Sequence, residues 1–138
     1  MIYQQELQLE TDGHGHLQNL TKTISEIVRH HSLHTGIVNV FNMGSTGAVG
    51  TIEFEPGLGQ DLAQMLDRLI PENLEYAHQQ AWKDGNGHSH LQATLLGPSV
   101  TIPIREGCLA LGTWQQIVHL ECDIKARKRS VLVTMMGE

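Results

Sequence analysis

The chain has 138 residues, 40% of them hydrophobic and 17% charged, which is enough for one core of ordinary size and too few for two. A formal net charge of −6 argues against general binding to nucleic acid or a membrane surface, because both are polyanions and want a basic field. No apolar stretch approaches the roughly 18 residues of a membrane span, the start has no secretion-signal pattern, and only two cysteines are present. The sequence therefore predicts a cytoplasmic protein with free thiols.

In chain order, Tyr3 to Leu9 alternates as an edge strand and Thr11-Asp12-Gly13 supplies a turn. Leu20, Ile24, Ile27 and Val28 recur at helical spacing over 20–31, with Asn19 or Thr21 as N-cap. After Gly36, residues 37–43 are rich in β-branched side chains and predict a strand, and Val49 to Phe54 predicts its partner. The clearest helix spans 58–70, where Leu58, Leu62, Met65, Leu66, Leu69 and Ile70 share one side between Pro56 and Pro71. Residues 72–89 show no convincing period and contain the loop Lys83-Asp84-Gly85-Asn86-Gly87. Four strands are expected after it, at His90–Leu95, Ser99–Ile104, Gly112–Cys122 and Arg129–Met136. Two main helices set among such strands, without βα repetition, predict a single α+β domain over 1–138 with a largely antiparallel or mixed sheet.

Several residue groups point to chemistry. Histidine is over-used, with nine copies. His88-Ser89-His90 at the head of a strand would place two imidazoles on one face, and His78 lies ten residues upstream of His88 across a glycine loop. Three imidazoles would hold a divalent metal, zinc rather than magnesium, with a position left open. The same residues also read as solvent-facing polar groups. His14-Gly15-His16 falls in a turn, and His30, His31 and His34 surround a helix end, where imidazole suits the dipole. Gly44-Ser45-Thr46-Gly47 reads either as a tight turn or as a cradle whose backbone N–H groups and hydroxyls approach a phosphate. Lys125, Arg127, Lys128 and Arg129 form a basic run that is either a solvated hairpin tip or, through Arg127 and Arg129, a bidentate phosphate contact. Glu53 alternates with Ile52 and Phe54 and is available as a base, while Thr113 and Gln115 flank Trp114, which suits a core or interface anchor. Both cysteines lie in apolar stretches and predict inert packing.

The run His88-Ser89-His90-Leu91, Ala93-Thr94-Leu95-Leu96-Gly97-Pro98-Ser99, Ile102-Pro103, Gly107, Leu111-Gly112-Thr113-Trp114-Gln115 and the closing Gly137-Glu138 resembles the YjbQ-like family across essentially the whole chain. The resemblance implies a sandwich-like fold, a homotrimer and a secondary thiamine-phosphate synthase activity, which joins a pyrimidine pyrophosphate to a thiazole phosphate. On that expectation a metal on His78, His88 and His90 faces the leaving pyrophosphate. Ser45, Thr46, Thr113, Gln115, Arg127 and Arg129 bind substrate, and Glu53 and Arg127 serve catalysis. A zinc-dependent hydrolase, or a trimer that binds a metal or phosphorylated metabolite without turnover, are the alternatives. Many members of the family begin the hydroxyl-rich segment with His, in a His-Thr-Ser-Ala pattern, where this chain has Gly44. His88 is the expected replacement for that lost ligand.

Overall fold

The computed structural model describes residues 1–138. Its elements in chain order are β1 (Ile2–Glu10), β2 (Leu17–Asn19), α1 (Thr21–His30), β3 (Thr35–Met43), β4 (Gly47–Ile52), α2 (Pro56–Leu69), α3 (Ala77–Trp82), α4 (Gly87–Leu96), β5 (Ser99–Arg105), β6 (Cys108–Leu109), β7 (Gln116–Glu121) and β8 (Lys128–Gly137). The strands form two antiparallel sheets, a five-stranded one in the order β1-β8-β3-β5-β6 and a three-stranded one in the order β2-β7-β4. The expected α+β class with antiparallel sheets is the observed one.

The principal core lies between the sheets. Val38 and Val40 of β3, Ile102 and Ile104 of β5, and Val131, Val133 and Met135 of β8 meet Val49 of β4 and Ile117 of β7. Ile24, Ile27 and Val28 of α1 close one side, at the spacing the sequence showed. Strand β7 is covered on its other face as well. Leu120 and Cys122 pack against Leu66 of α2 and Ala93 of α4, so the small sheet is the middle layer of three.

Inward positions change character along these strands. On β3 they run Val38, Val40, Asn42; on β7 they run Ile117, His119, Glu121; on β8 they run Met135, Val133, Val131, Arg129. All three sequences pass from apolar to polar at the same end, where Met43 pairs with Ser130. One end of the inter-sheet space is therefore polar and buried.

Helix α2 begins as its sequence directs. Pro56 occupies the first turn, and the Glu55 carboxylate accepts hydrogen bonds from the N–H groups of Gly57 and Leu58. Three expectations need correction. Residues 90–95 belong to α4 rather than to a strand, which brings the helices to four, with α3 also unforeseen. Helix α4 buries one face, Gly87, His88, Ser89, Gln92 and Ala93, but three of those side chains are polar while Leu91, Leu95 and Leu96 are exposed, so its sequence lacks the apolar stripe that identifies a helix. Strand β4 pairs with β7 rather than with β3, because the segment 44–46 carries the chain from one sheet to the other. Trp114 is 72% exposed and outside the core, as is Trp82 at 75%.

His119 sits wholly buried on β7, where its Nε2–H donates to Asn42 Oδ1 at 3.0 Å and its Nδ1 has no partner. Burial pushes its pKa down to about 4, since a second ring proton would find no acceptor. The unfolded chain binds this proton near pH 6.5 and the folded chain does not, so stability rises with pH between about 4 and 6.5. Denaturant unfolding of wild type against His119→Gln is expected to show an additional loss of about 3 kcal/mol in wild type on acidification across that window. Parallel pH profiles for the two proteins would refute the assignment.

Candidate functional site

At the polar end of the sandwich the strands leave three charged side chains with little water. The Arg129 guanidinium forks onto Glu121, with Nε donating to Oε1 at 2.7 Å and Nη2 to Oε2, while both residues are buried. Nη2 also donates to Thr46 Oγ1 at 2.7 Å, and that hydroxyl donates to Asp123 Oδ2 at 2.9 Å. Arg127 reaches the same Asp123 oxygen through Nε at 2.9 Å and Nη2 at 2.6 Å. Thr11, just past the end of β1, braces the group, its hydroxyl donating to Glu121 Oε1 at 2.8 Å and accepting from the Arg127 N–H at 3.0 Å. Burial raises the pKa of Glu121, but the Arg129 guanidinium, the Asp123 N–H and the Thr11 hydroxyl outweigh it and hold the carboxyl below its ordinary range. Asp123 behaves alike: burial raises it, and Arg127, Thr46 and the Ile124 N–H bring it below. Both carboxylates are ionised at neutral pH.

Above this network opens a cleft of about 390 Å3. Ser45, Thr46, His78, His90, Arg127 and Arg129 all line it. Four segments distant in sequence thus meet: the hydroxyl turn before β4, helix α3, the start of α4, and the turn into β8. Gly44, Trp82, Asp84, Asn86 and Asp123 complete the walls.

The imidazoles are arranged differently from the sequence expectation. On helix α4, residues two apart point to opposite sides. His90 turns toward His78, with ring centroids 4.6 Å apart, whereas His88 is buried behind the helix near His14 and Tyr76. Burial, the largest influence, lowers its pKa. The triad of His78, His88 and His90 is therefore not built, and His88 does not stand in for a ligand at position 44. No three His, Cys, Asp or Glu side chains converge as metal ligands. What converges instead is His78 Nε2, Asp84 Oδ1 at 3.0 Å from it, and the amide end of Asn86, which lies 3.0 Å from His78 Nε2 and 2.9 Å from Asp84 Oδ1. With its nitrogen facing them, Asn86 donates to both; with its oxygen there, three acceptors sit at the corners of a near-equilateral triangle. Such a triangle is one face of an octahedron whose corners lie about 2.1 Å from a divalent ion.

Other predicted residues lie elsewhere. Glu53 is exposed beyond the end of β4 and outside the cleft. Thr113 is exposed in the loop before β7. Gln115 lines a separate cleft beside α1, accepting from the Gly112 N–H at 3.0 Å and donating to Thr51 Oγ1 at 3.1 Å. Thr46 is 4% exposed and its hydroxyl hydrogen is spent on Asp123, so it braces Arg129 rather than binding a ligand. Glu121, Asp123, Asp84 and Asn86 escaped the sequence reading. The first two had a legible signal, since His119, Glu121 and Asp123 recur at spacing two in an otherwise apolar run.

Residues 5–138 match the family model described as UPF0047 protein YjbQ-like. The chain belongs to the YjbQ-like UPF0047 family. A UPF0047 protein of Methanothermobacter thermautotrophicus is 37% identical over 137 residues, covering 99% of this chain and 94% of that one. A UPF0047 protein of Archaeoglobus fulgidus is 38% identical over 128 residues, covering 93% and 97%. Among solved structures, a YbjQ-like protein of unknown function from Sulfolobus solfataricus superposes with a TM-score of 0.93 at 31% identity, covering 100% of this chain and 99% of that one. The Sulfolobus YbjQ-like structure shares the whole fold described above, and none of these relatives' names states an activity.

The buried pair generates a test of stability. Glu121→Gln leaves the Arg129 charge unpaired and is expected to cost about 3–5 kcal/mol in denaturant unfolding. Glu121→Leu combined with Arg129→Met removes both charges and should recover most of that loss. A double variant no more stable than Glu121→Gln would mean that the pair is not what holds this end of the fold.

Proposed function

We propose that the cleft binds a phosphorylated small molecule beside a divalent cation and carries a transferase reaction of the thiamine-phosphate synthase type. The observation that carries this reading is the meeting of Arg127, Arg129, Ser45, His78 and His90 around one cavity. Such chemistry needs no protein nucleophile; a pyrophosphate leaves as a new bond forms at a ring nitrogen, and positioning with charge stabilisation lowers the barrier. The exposed position of Glu53 is therefore no obstacle, because that step requires no base.

Charge balance supports the cation. Two guanidinium groups line the cleft, but Asp84 and Asp123 line it too and Glu121 lies behind Arg129. An incoming phosphate meets donors in good geometry without surplus positive charge. A divalent ion on His78, Asp84 and Asn86, with His90 beside them, would supply that charge at the leaving group. An imidazole donor beside the carboxylate suits zinc better than magnesium. The same donor set favours hydrolysis by a zinc-bound water as the second reading. If neither reaction occurs, the cleft is a binding site for a metal and a phosphorylated metabolite.

The homotrimer that the family resemblance implies is supported by an apolar outer face on the large sheet. Ile37, Phe41 and Met43 point outward from β3, and Met136 of β8 is the direct partner of Ile37. A patch of this kind suits burial between copies. The cytoplasmic reading rests on the two free cysteines, and no helix is long and apolar enough to cross a membrane.

Metal analysis of untagged protein is expected to give about one zinc per subunit in wild type and none in His78→Ala/His90→Ala. Thiamine phosphate formation from the two substrates should fall about 100-fold or more in Arg127→Ala, with the oligomer mass and circular dichroism spectrum retained although the melting temperature drops, because Asp123 loses its partner. Metal-free wild type that forms no thiamine phosphate would end the reading. Sedimentation should give three times the 15.3 kDa chain mass, and a monomer would refute the trimer.

A further inference from the structure

We propose that Gly44 is a specificity-determining position that keeps open an oxyanion subsite on Arg129, so that the ligand presents a terminal phosphate there; this rests on the phosphate-binding reading of the same cleft. Gly44 is not required by backbone conformation, since its φ is outside the left-handed region that favours glycine. Space is what excludes a side chain. A Cβ on residue 44 would stand 2.8 Å from Arg129 Nη1 and 3.4 Å from Asn42 Nδ2. Neither neighbour yields easily. Arg129 is clamped by Glu121 and Thr46, and Asn42 is held between His119 Nε2 at 3.0 Å and the Gly44 carbonyl at 3.1 Å.

The guanidinium itself names the ligand. Arg129 is only 7% exposed, and its Nε and Nη2 are committed to Glu121 and Thr46. Nη1 makes no hydrogen bond within the protein and lies against Gly44 in the wall of the cleft. Its two N–H groups are thus a held, unspent donor pair in a mostly buried side chain. The Ser45 hydroxyl, likewise without a protein partner, and the His90 imidazole line the same wall. Donors of three kinds around one gap fit a tetrahedral oxyanion better than a single carbonyl oxygen.

Position 44 is also a boundary. Gly44, Ser45 and His90 line a second cleft, of about 400 Å3, whose far wall includes Phe41, Ala93 and Pro98. The two clefts adjoin along these three residues. A phosphate on Arg129 then leaves room for an apolar ring against Phe41 and Pro98.

The test is calorimetric titration of the intact, metal-loaded protein with inorganic phosphate and with pyrophosphate. Wild type should bind pyrophosphate, Gly44→Ala should weaken it at least 10-fold, and zinc content should not change. Gly44→Asp places a carboxylate on Arg129 Nη1 and should abolish binding while the circular dichroism spectrum of the folded chain is retained. The Arg129 guanidinium NMR signals of wild type should shift on adding pyrophosphate, a readout that needs no variant. Pyrophosphate binding that leaves those signals unmoved, or that both variants retain, overturns the subsite while the wider reading stands. Wild type that binds neither anion overturns both.

Discussion

The structure depends on one buried ion pair. Arg129 and Glu121 face each other across the space between two sheets, where an unpaired charge would be untenable. Their geometry is fixed from four sides: Thr11 just after β1, Thr46 from the turn before β4, the Asp123 N–H, and the strands that carry them. Because Thr46 passes its hydrogen to Asp123, and Asp123 holds Arg127, the second guanidinium is placed by the first. The floor of the cleft is thus one hydrogen-bonded object.

Fold and site are continuous in this molecule. The inward positions that form the apolar core on β3, β7 and β8 become Asn42, Glu121 and Arg129 at one end, without any change in strand geometry. No separate loop scaffold is needed for the floor, and rigid strands set its precision. Helices α3 and α4 add the imidazole wall, and α4 is itself seated on β4 and on the Leu66, Leu120 and Cys122 cluster. The wall and the floor therefore rest on the same middle sheet.

Much of this was legible in sequence where one physical signal acted alone. Helix α2 was read from its apolar period and its flanking prolines, and β3 from its β-branched run between glycines. Helix α4 was not, because its buried face carries His88, Ser89 and Gln92 while Leu91 and Leu95 face outward, so no apolar stripe marks it and a short apolar segment then resembles a strand. That single misreading also misplaced His88, since spacing two joins side chains on a strand and separates them on a helix. Clusters fared better than partners. The basic run and the hydroxyl turn were visible as groups, whereas Asp84 and Asn86 resembled loop punctuation until α3 folded back beside them. The glycines at 44 and 47 suggested an anion cradle; neither has a left-handed backbone, and Gly47 is packed against Asn42 and His119.

The two cysteines differ more than their apolar surroundings suggested. Cys122 is buried under α2 and α4, and burial pushes its thiol up to about 12, so it has almost no thiolate at neutral pH. Cys108 is exposed on β6, opposite Arg105, which pairs with Thr35 at the start of β3. The cleft lies beyond the far end of that strand, roughly 25 Å away along its length. The molecule thus carries one chemically addressable thiol, remote from the cleft. A fluorophore or spin label attached there would report on assembly and motion without occupying the site.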